Sequence, residues 1–374
     1  QELPELKEVN TMAGADYEKV RELININPMG CPPAPEIIEI LKILFTEEEA
    51  NVALGLGFLP LPVTEIARRT GVTREVAEKH LESLADKGIV FAREKDGEWG
   101  YAHVNTFHLF ENPYRKGVHD ETINKLTPLW KKYGKTLMQN FGSDTTTISR
   151  ILPIQKKIES SAEILPHERV LEMIDNAKVI GIGHCACREL EQKCDAPREA
   201  CMMFDATCTY LVDRGYGRYI TKEDAKRKIK EFDEAGLVRQ VNNTRDRLEF
   251  VCHCCSCCCA FLRAINEYGN PRVFTRSAFL PIRAAERCVG CGVCADGMCP
   301  THSIEMINDI ADVNLESCIG CGICAAGCPN DAIRMERQLD IPDPPANIME
   351  YGMQLLQEQG KLEAFIEVST PKAK

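Results

Sequence analysis

The sequence predicts an α+β protein with several domains. Its 374 residues are enough for two or three domains of roughly 100 to 200 residues each. Some stretches repeat apolar residues at helical spacing, and others are short strand-like runs that end at glycine or aspartate turns. Hydrophobic residues make up 44% of the chain and charged residues 27%, which excludes a wholly disordered chain.

The composition also indicates where the protein is located and which partners it is not expected to bind. No run of residues approaches the roughly 18 consecutive apolar positions of a membrane-spanning helix. The formal net charge of -11 argues against binding nucleic acid through the general field of the protein. Gln1–Lys7 carry acidic residues and lack the basic and then apolar pattern of a secretory signal. We therefore expect a cytoplasmic protein with no membrane span and no nucleic-acid partner.

Residues 1–35 are predicted to form an extended N-terminal arm. The arm ends in Pro28–Pro33, a stretch too rich in proline for regular structure. From Glu36 onward, apolar residues recur at helical spacing, which predicts the first helix of the next domain.

Residues 36–105 contain the signals of two short helices followed by a hairpin. Thr73 can cap the second of these helices, and Gly88 can end it. The strand-like segments Ile89–Arg93 and Trp99–Val104 flank a turn that contains Asp-Gly. Helix, turn, helix and hairpin together resemble a winged helix.

The second helix of this module, Thr73–Lys87, is poorly suited to reading DNA. Its three basic residues are outnumbered by four acidic ones. Affinity for DNA rests mainly on neutralising phosphates with lysine and arginine. We therefore expect a packing or docking module, with DNA binding as the alternative.

Residues 106–177 are predicted to form a helical connector. It contains no cysteine, and its histidines, such as His119, are interpreted as surface or core residues. At the other end of the chain, residues 338–374 predict a linker followed by a helix over Ile348–Gln359. We expect the helices of the connector to break at its prolines, which are Pro113, Pro128, Pro153 and Pro166.

Residues 284–337 contain an internal repeat that carries the most specific motif of the chain. The twenty cysteines fall in tight clusters, which favours metal ligation over a disulfide framework. Cys288–Pro300 and Cys318–Pro329 each contain a C-x2-C-x2-C run whose fourth cysteine precedes proline. This region resembles the bacterial two-cluster ferredoxins, which carry two 4Fe-4S clusters.

The resemblance implies that each cluster takes its fourth ligand from the other copy of the repeat. The first copy departs from the family's pattern by one extra residue beside Asp296–Met298, so its loop must bulge. The implied ligands are Cys288, Cys291, Cys294 and Cys328 for one cluster, and Cys318, Cys321, Cys324 and Cys299 for the other.

Residues 178–283 form a predicted cysteine-rich α+β domain. Its cysteines follow two strand-like segments, Lys178–His184 and Leu248–Val251, so their loops can converge on one site. We expect one or two further iron-sulfur clusters there. The eleven cysteines of this domain are Cys185, Cys187, Cys194, Cys201, Cys208, Cys252, Cys254, Cys255, Cys257, Cys258 and Cys259.

Two ligand arrangements are open for these central cysteines. In the preferred one, Cys185, Cys187, Cys194 and Cys201 bind one cluster, and the six cysteines of the string at 252–259 bind another. Interleaved ligation between the two groups is the alternative, and a structural zinc site would also suit cysteines with this spacing.

Two histidines adjoin the central cysteines in sequence. Iron bound by histidine in place of cysteine follows a different sequence pattern. We therefore expect His184 and His253 to hydrogen-bond the sulfurs rather than ligate the metal.

The order of motifs resembles that of a family of anaerobe iron-sulfur proteins described as 4Fe-4S binding proteins. The motifs are, in order, the winged-helix-like module, Gly-His-Cys-Ala-Cys-Arg-Glu at 183–189, Cys-His-Cys-Cys-Ser-Cys-Cys-Cys at 252–259 and the dicluster repeat. We expect electron transfer within a cytoplasmic, low-potential redox complex, with redox proteins or complex subunits as partners. The alternatives are a reductase with a catalytic cluster in the central domain and a redox-sensing transcription regulator.

Overall fold

The computed structural model describes residues 15–141, 146–155, 158, 164–165, 168–338 and 341–371. The fold is mixed α+β, as the sequence predicts. The chain divides into two compact units. Within the described residues, the first unit takes 15–113, 120–133 and 360–371, and the second takes 114–119 and the rest of 134–359.

The first unit is mainly helical and contains a small antiparallel sheet in the order β1-β3-β2. The helices α6 and α7 contribute residues to both units. Its elements are α1 (Tyr17–Asn25), α2 (Pro35–Leu44), α3 (Glu47–Ala53), β1 (Leu61–Pro62), α4 (Val63–Thr70), α5 (Arg74–Asp86), β2 (Val90–Lys95), β3 (Glu98–His103), α6 (Thr106–Arg115) and α7 (Glu121–Gln139). The helix α15 (Leu362–Ser369) follows near the end of the chain.

The extended arm predicted for residues 1–35 is wrong in its second half, because α1 is a helix. The side chain of Asp16 caps this helix by accepting the backbone N–H of Lys19 at 3.2 Å. Val20 and Ile24, four residues apart, are both fully buried. Burial of these apolar side chains stabilises the helix, although the sequence around it is mostly polar. The first fourteen residues lie outside the described part of the chain.

The helix and hairpin signals at 73–104 lie close to the observed elements. The hydroxyl of Thr73 accepts the backbone N–H of Val76 and caps α5. Asp96 and Gly97 have φ angles of +55° and +81°, which form the tight turn between β2 and β3. The strand β1 was not predicted, because two residues are too few to give a pattern.

The predicted helix breaks at Pro113 and Pro128 are wrong. Pro113 lies inside α6 and Pro128 lies inside α7. A proline inside a helix costs about 3 kcal/mol, partly because it removes one backbone hydrogen bond. Burial of large side chains such as Trp130 and Leu126, each worth roughly 1.5 to 3 kcal/mol, outweighs that cost.

The predicted helical connector is also interrupted by a strand. The strand β4 (Ser149–Leu152) joins the sheet of the second unit and ends just before Pro153. Its four residues are all buried. A run with burial on both faces has no alternation that would reveal a strand in the sequence. Pro166 lies outside the described residues.

A seven-stranded sheet forms the centre of the second unit, in the order β10-β4-β8-β9-β6-β5-β7. All neighbours are antiparallel except β10 and β4. The remaining strands are β5 (Ile180–His184), β6 (Glu199–Phe204), β7 (Arg218–Tyr219), β8 (Val238–Asn242), β9 (Phe250–Cys254) and β10 (Phe274–Thr275), and the helices are α8 (Val170–Asn176), α9 (Ala186–Glu191), α10 (Asp205–Asp213), α11 (Lys222–Glu234) and α12 (Ala260–Asn266).

The two faces of this sheet differ in chemistry. Met202 and Val251 belong to a large apolar core that also contains Phe232 of α11. Successive residues of a strand point to opposite faces. Cys201 and Cys252, which are direct partners in β6 and β9, therefore lie on the face opposite this core.

The dicluster repeat forms two small antiparallel pairs of strands and a short helix. The strand β11 (Phe279–Arg283) pairs with β14 (Ile333–Arg337), and β12 (Ile304–Ile307) pairs with β13 (Ile310–Val313). The helix α13 (Ile323–Gly327) follows the cysteine loop of the second copy.

The C-terminal region of the second unit contains the helix α14 (Ile348–Glu358), close to the predicted Ile348–Gln359. The side chain of Asn347 caps it by accepting two backbone N–H groups. Across the residue ranges given above, no helix combines the length and apolar character that crossing a membrane requires.

Candidate metal centres

Two small pockets in the dicluster region are each lined by four cysteines. Each pocket takes three cysteines from one copy of the repeat and the fourth from the other copy, which is the grouping that the ferredoxin resemblance implies. Cys288, Cys291, Cys294 and Cys328 line the first pocket. Cys299, Cys318, Cys321 and Cys324 line the second pocket.

Glycines with positive φ angles bend the cysteine loops around these pockets. Gly290 and Gly320 occupy equivalent places in the two copies, with φ angles of +72° and +69°. A Cβ atom on Gly320 would overlap the carbonyl oxygen of Phe279 in β11 and would lie 2.9 Å from the Cβ of Ser277. Only glycine allows the loop to pass this close to the strand.

The fourth cysteine of each copy accepts a backbone hydrogen bond from the residue four positions later. The N–H of Ser303 donates to Cys299 Sγ at 3.2 Å, and the N–H of Ala332 donates to Cys328 Sγ at 3.3 Å. The residue before each donor, His302 or Asp331, has a positive φ angle. These N–H groups stabilise negative charge on the sulfurs. Sequence reasoning missed this shared turn, although both copies begin it with Cys-Pro.

The two pockets differ in exposure. Cys291 of the first pocket is exposed, and its neighbours Val289 and Val293 are 67% and 40% exposed. Backbone N–H groups that hydrogen-bond the Cys288 sulfur lower its pKa. In the second pocket, burial raises the pKa of the Cys321 thiol to about 12. The cysteines of the first pocket are therefore more exposed than those of the second.

The central cysteines sort into two groups and one separate residue. Four of them form a tight group in which all sulfurs lie within 4.8 Å of one another; we call it the four-cysteine group, and it consists of Cys194, Cys255, Cys257 and Cys258. Six others form a chain of neighbouring thiols that we call the six-cysteine group, and it consists of Cys185, Cys187, Cys201, Cys252, Cys254 and Cys259.

Strand register and helix starts build the six-cysteine group. Contacts between thiols link Cys201 to Cys252 and Cys252 to Cys254, which lie on one face of β6 and β9. Further contacts link Cys254 to Cys259, at the N-terminus of α12, and Cys259 to Cys187 in α9. Cys185 immediately precedes α9, the helix that contains Cys187.

The preferred grouping from the sequence is wrong for Cys194. Its sulfur lies 3.7 Å from Cys255 Sγ and 3.9 Å from Cys258 Sγ. Cys194 follows α9 on a loop that passes the turn at 255–258. It therefore groups with cysteines of that turn and not with Cys185 and Cys187. The structure thus favours the interleaved arrangement.

Cys208 belongs to neither group. It lies in α10, where it is buried in a small apolar cluster with Leu211 and Tyr216. A buried cysteine of this kind behaves as a small hydrophobic residue.

A buried arginine lies between the two groups. Arg188 is 0% exposed, and its guanidinium donates to the carbonyl oxygens of Pro197 at 2.9 Å and His253 at 2.6 Å. Its Nε atom has no hydrogen-bond partner among the described residues. Burial lowers its pKa, but the thiols of Cys185, Cys255 and Cys254 raise it above the ordinary value of arginine.

This donor set fits thiolate-bound metal centres. A buried cation is stable only when anions lie close to it, and thiols in contact with metal lose their protons. The unpaired Nε of Arg188 leaves a further donor for a negatively charged group. Arg115 supplies a second positive charge, because its guanidinium donates to Cys201 Sγ.

Within the described part of the chain, neither His184 nor His253 hydrogen-bonds a cysteine sulfur, so the predicted contacts are not observed. His253 Nδ1 lies 3.0 Å from the carbonyl oxygen of Ala200, and its ring packs against Phe232 at 4.2 Å on the other face of the sheet. His184 Nδ1 lies 2.9 Å from Glu189 Oε1. Glu189 Oε2 lies in turn 2.7 Å from His119 Nε2, a contact between distant parts of the chain that the sequence did not reveal.

One comparison with known proteins found a match. A family model described as a 4Fe-4S dicluster domain matches residues 280–329, which contain all eight cysteines of the two pockets. Searches of curated proteins and of solved structures found no match. The match and the many further cysteines, including those between 194 and 258, support iron-sulfur clusters as cofactors. They indicate an iron-sulfur electron-transfer protein.

Substitution of Gly320 by alanine should destabilise the dicluster region. The added Cβ would be strained by the positive φ angle and would also overlap Phe279 O. We expect the clusters to be lost at a lower temperature, measured as the decay of their visible absorbance on heating under anaerobic conditions. Gly297→Ala is the matched control, since Gly297 has a φ of +73° but nothing within 4 Å of an added Cβ. Equal effects of the two substitutions would contradict this account.

Proposed function

We propose that this chain is an electron-transfer subunit of a low-potential redox complex. In this proposal the two cysteine-lined pockets each hold one 4Fe-4S cluster, and the six-cysteine group holds a further iron-sulfur cluster. Such clusters, when bound, accept and release single electrons. The chain's own residues hold the clusters, compensate their charge and control their exposure.

A short helix that connects the six-cysteine group to the second pocket carries this proposal. Cys259 is the residue that immediately precedes α12, and Asn266 at the end of this helix donates to the carbonyl oxygen of Pro300 at 3.0 Å. Pro300 lines the second pocket next to Cys299. Seven residues of helix span on the order of 10 Å. This helix therefore starts at the six-cysteine group and ends in a hydrogen bond to the lining of the second pocket.

A second contact supports the same connection. The backbone N–H of Ile154, just after β4, donates to the carbonyl oxygen of Cys321 at 2.9 Å. Ile154 also lies against Gly322, where an added Cβ would meet its carbonyl oxygen at 3.0 Å. The cysteine loop of the second pocket thus packs directly on the end of a strand of the central sheet.

The exposed surface around the first pocket supports the proposal that a partner protein docks there and exchanges electrons with the cluster of that pocket. Val289 and Val293 line this pocket and are largely exposed beside Cys291. Exposed apolar side chains next to a redox site are typical of a docking surface for a partner protein. In the proposed order of sites, the second pocket comes between this surface and the central sheet.

The assignment of ligands follows the pockets. We propose that Cys288, Cys291, Cys294 and Cys328 bind the cluster of the first pocket, and that Cys318, Cys321, Cys324 and Cys299 bind the cluster of the second. The backbone N–H groups of Ser303 and Ala332 would then hydrogen-bond one ligand sulfur of each cluster.

The function is tested by reducing the anaerobically purified full chain with dithionite and titrating its potential. We expect bound iron and acid-labile sulfide, reversible one-electron steps at low potential, and paramagnetic signals of reduced clusters. Cys208→Ala is the control and should leave all of these unchanged. A colourless protein without labile sulfide would overturn the proposal. DNA binding that depends on salt and on the redox state would instead support a regulator.

Cysteine substitutions test the exchange of ligands between the copies. Cys299→Ser should perturb the same paramagnetic signal as Cys321→Ser, although Cys299 belongs to the other copy of the repeat. Cys328→Ser should likewise match Cys291→Ser. The measurement is the spectrum of each reduced variant together with its iron and sulfide content. If Cys299→Ser matched Cys291→Ser instead, the assignment would be wrong.

Arg188 should raise the reduction potential of the cluster in the six-cysteine group. A buried positive charge about 6 Å from a reducible group, at an effective dielectric constant of about 20, contributes about 3 kcal/mol, or on the order of 100 mV for one electron. Arg188→Gln should therefore make this potential more negative. Arg188→Lys keeps the charge and should shift it much less, and both are measured by potentiometric titration. Equal shifts in the two variants would show that the charge of Arg188 has no such role.

A further inference from the structure

We infer that the four-cysteine group binds a single tetrahedral metal ion, Zn²⁺ or Fe²⁺, and not a cluster. Three distances between its sulfurs are given by the structure: 3.7 Å for Cys194 and Cys255, 3.9 Å for Cys194 and Cys258, and 3.7 Å for Cys257 and Cys258. All four sulfurs lie within 4.8 Å of one another.

These distances match the geometry of one ion with four thiolates. Sulfurs at about 2.3 Å from a central ion, at the corners of a tetrahedron, lie about 3.8 Å from each other. In a 4Fe-4S cube each thiolate binds a different iron, so the sulfurs are separated by the width of the cluster. A set of four thiols whose sulfurs all lie within 4.8 Å of one another leaves room for one ion at its centre.

The dicluster region provides an internal comparison. Its eight cysteines line two pockets and match a 4Fe-4S family. Among the described residues, however, none of them belongs to a group of three or more metal-binding side chains whose ligand atoms all lie within 4.8 Å. The same chain therefore contains two kinds of cysteine spacing, a wide one in the family-matched pockets and a close one in the four-cysteine group.

The surroundings of the four-cysteine group also suit an ion bound by thiolates. The backbone N–H of Lys193 hydrogen-bonds the sulfur of Cys258, and the backbone N–H of Cys258 hydrogen-bonds that of Cys255. Four thiolates on a divalent ion carry a net negative charge. The guanidinium of Arg188 lies next to Cys255 and offsets part of this charge.

The position of the site in the chain indicates what the ion does. Its ligands come from two segments, the loop after α9 and the turn at 255–258. Cys254 and Cys259, which flank this turn, belong to the six-cysteine group. An ion that ties the turn to the loop of Cys194 would fix the two ends of the turn, and so position two thiols of the neighbouring group.

Metal and sulfide counting on the full chain tests this inference. We expect the wild type to contain one ion beyond its clusters, seen either as one zinc or as one iron in excess of labile sulfide. Cys194→Ser and Cys257→Ser should lose this ion with no loss of sulfide. Cys187→Ser is the matched control and should lose iron and sulfide but keep the single ion. Loss of about four irons and four sulfides in Cys194→Ser would overturn the inference.

X-ray absorption of the wild type gives a second readout that does not depend on the folding of any variant. At the zinc edge, four sulfur neighbours near 2.3 Å and no metal neighbour are expected for a zinc site. If zinc is absent, the electron paramagnetic resonance signal of a mononuclear ferric tetrathiolate after oxidation is expected for iron. Absence of both species would overturn the inference, while the clusters counted in the same sample report separately on the proposed function.

Discussion

The close packing of thiol groups is the constraint on which the second unit depends. Thiols are weak hydrogen-bond partners, and thiolates repel one another, so a chain gains little by bringing ten of them together without a positive charge between them. The fold meets this constraint with backbone N–H groups, with Arg115 and with the buried Arg188. Metal bound by the thiolates would add further positive charge, which would couple metal binding to the stability of the folded state.

The register between β6 and β9 determines which thiols lie next to one another. A shift of β9 by one residue would move Cys252 and Cys254 to the face of Val251 and His253. The present register instead places these thiols beside Cys201 and leaves the histidine against Phe232. The large apolar core on the opposite face holds this register in place. The same core that stabilises the sheet therefore determines which sulfurs meet.

The sequence predicted more of the cysteine groupings in the dicluster region than in the central domain. The spacing within the repeat and its family resemblance were enough to group eight cysteines into the sets that line the two pockets. The central groups could not be derived, because they depend on the pairing of β6 with β9 and on the path of the loop that carries Cys194. The helices through Pro113 and Pro128 were missed for a related reason. Burial in the tertiary structure outweighed a local signal that reads as a break.

The difference in exposure between the two ferredoxin-like pockets has a consequence for survival in air. Dioxygen and chelators reach thiolates at the surface first, and Cys291 is the exposed member of its set. Damage would therefore begin at the first pocket, while the buried Cys299, Cys321 and Cys324 of the second pocket were still protected.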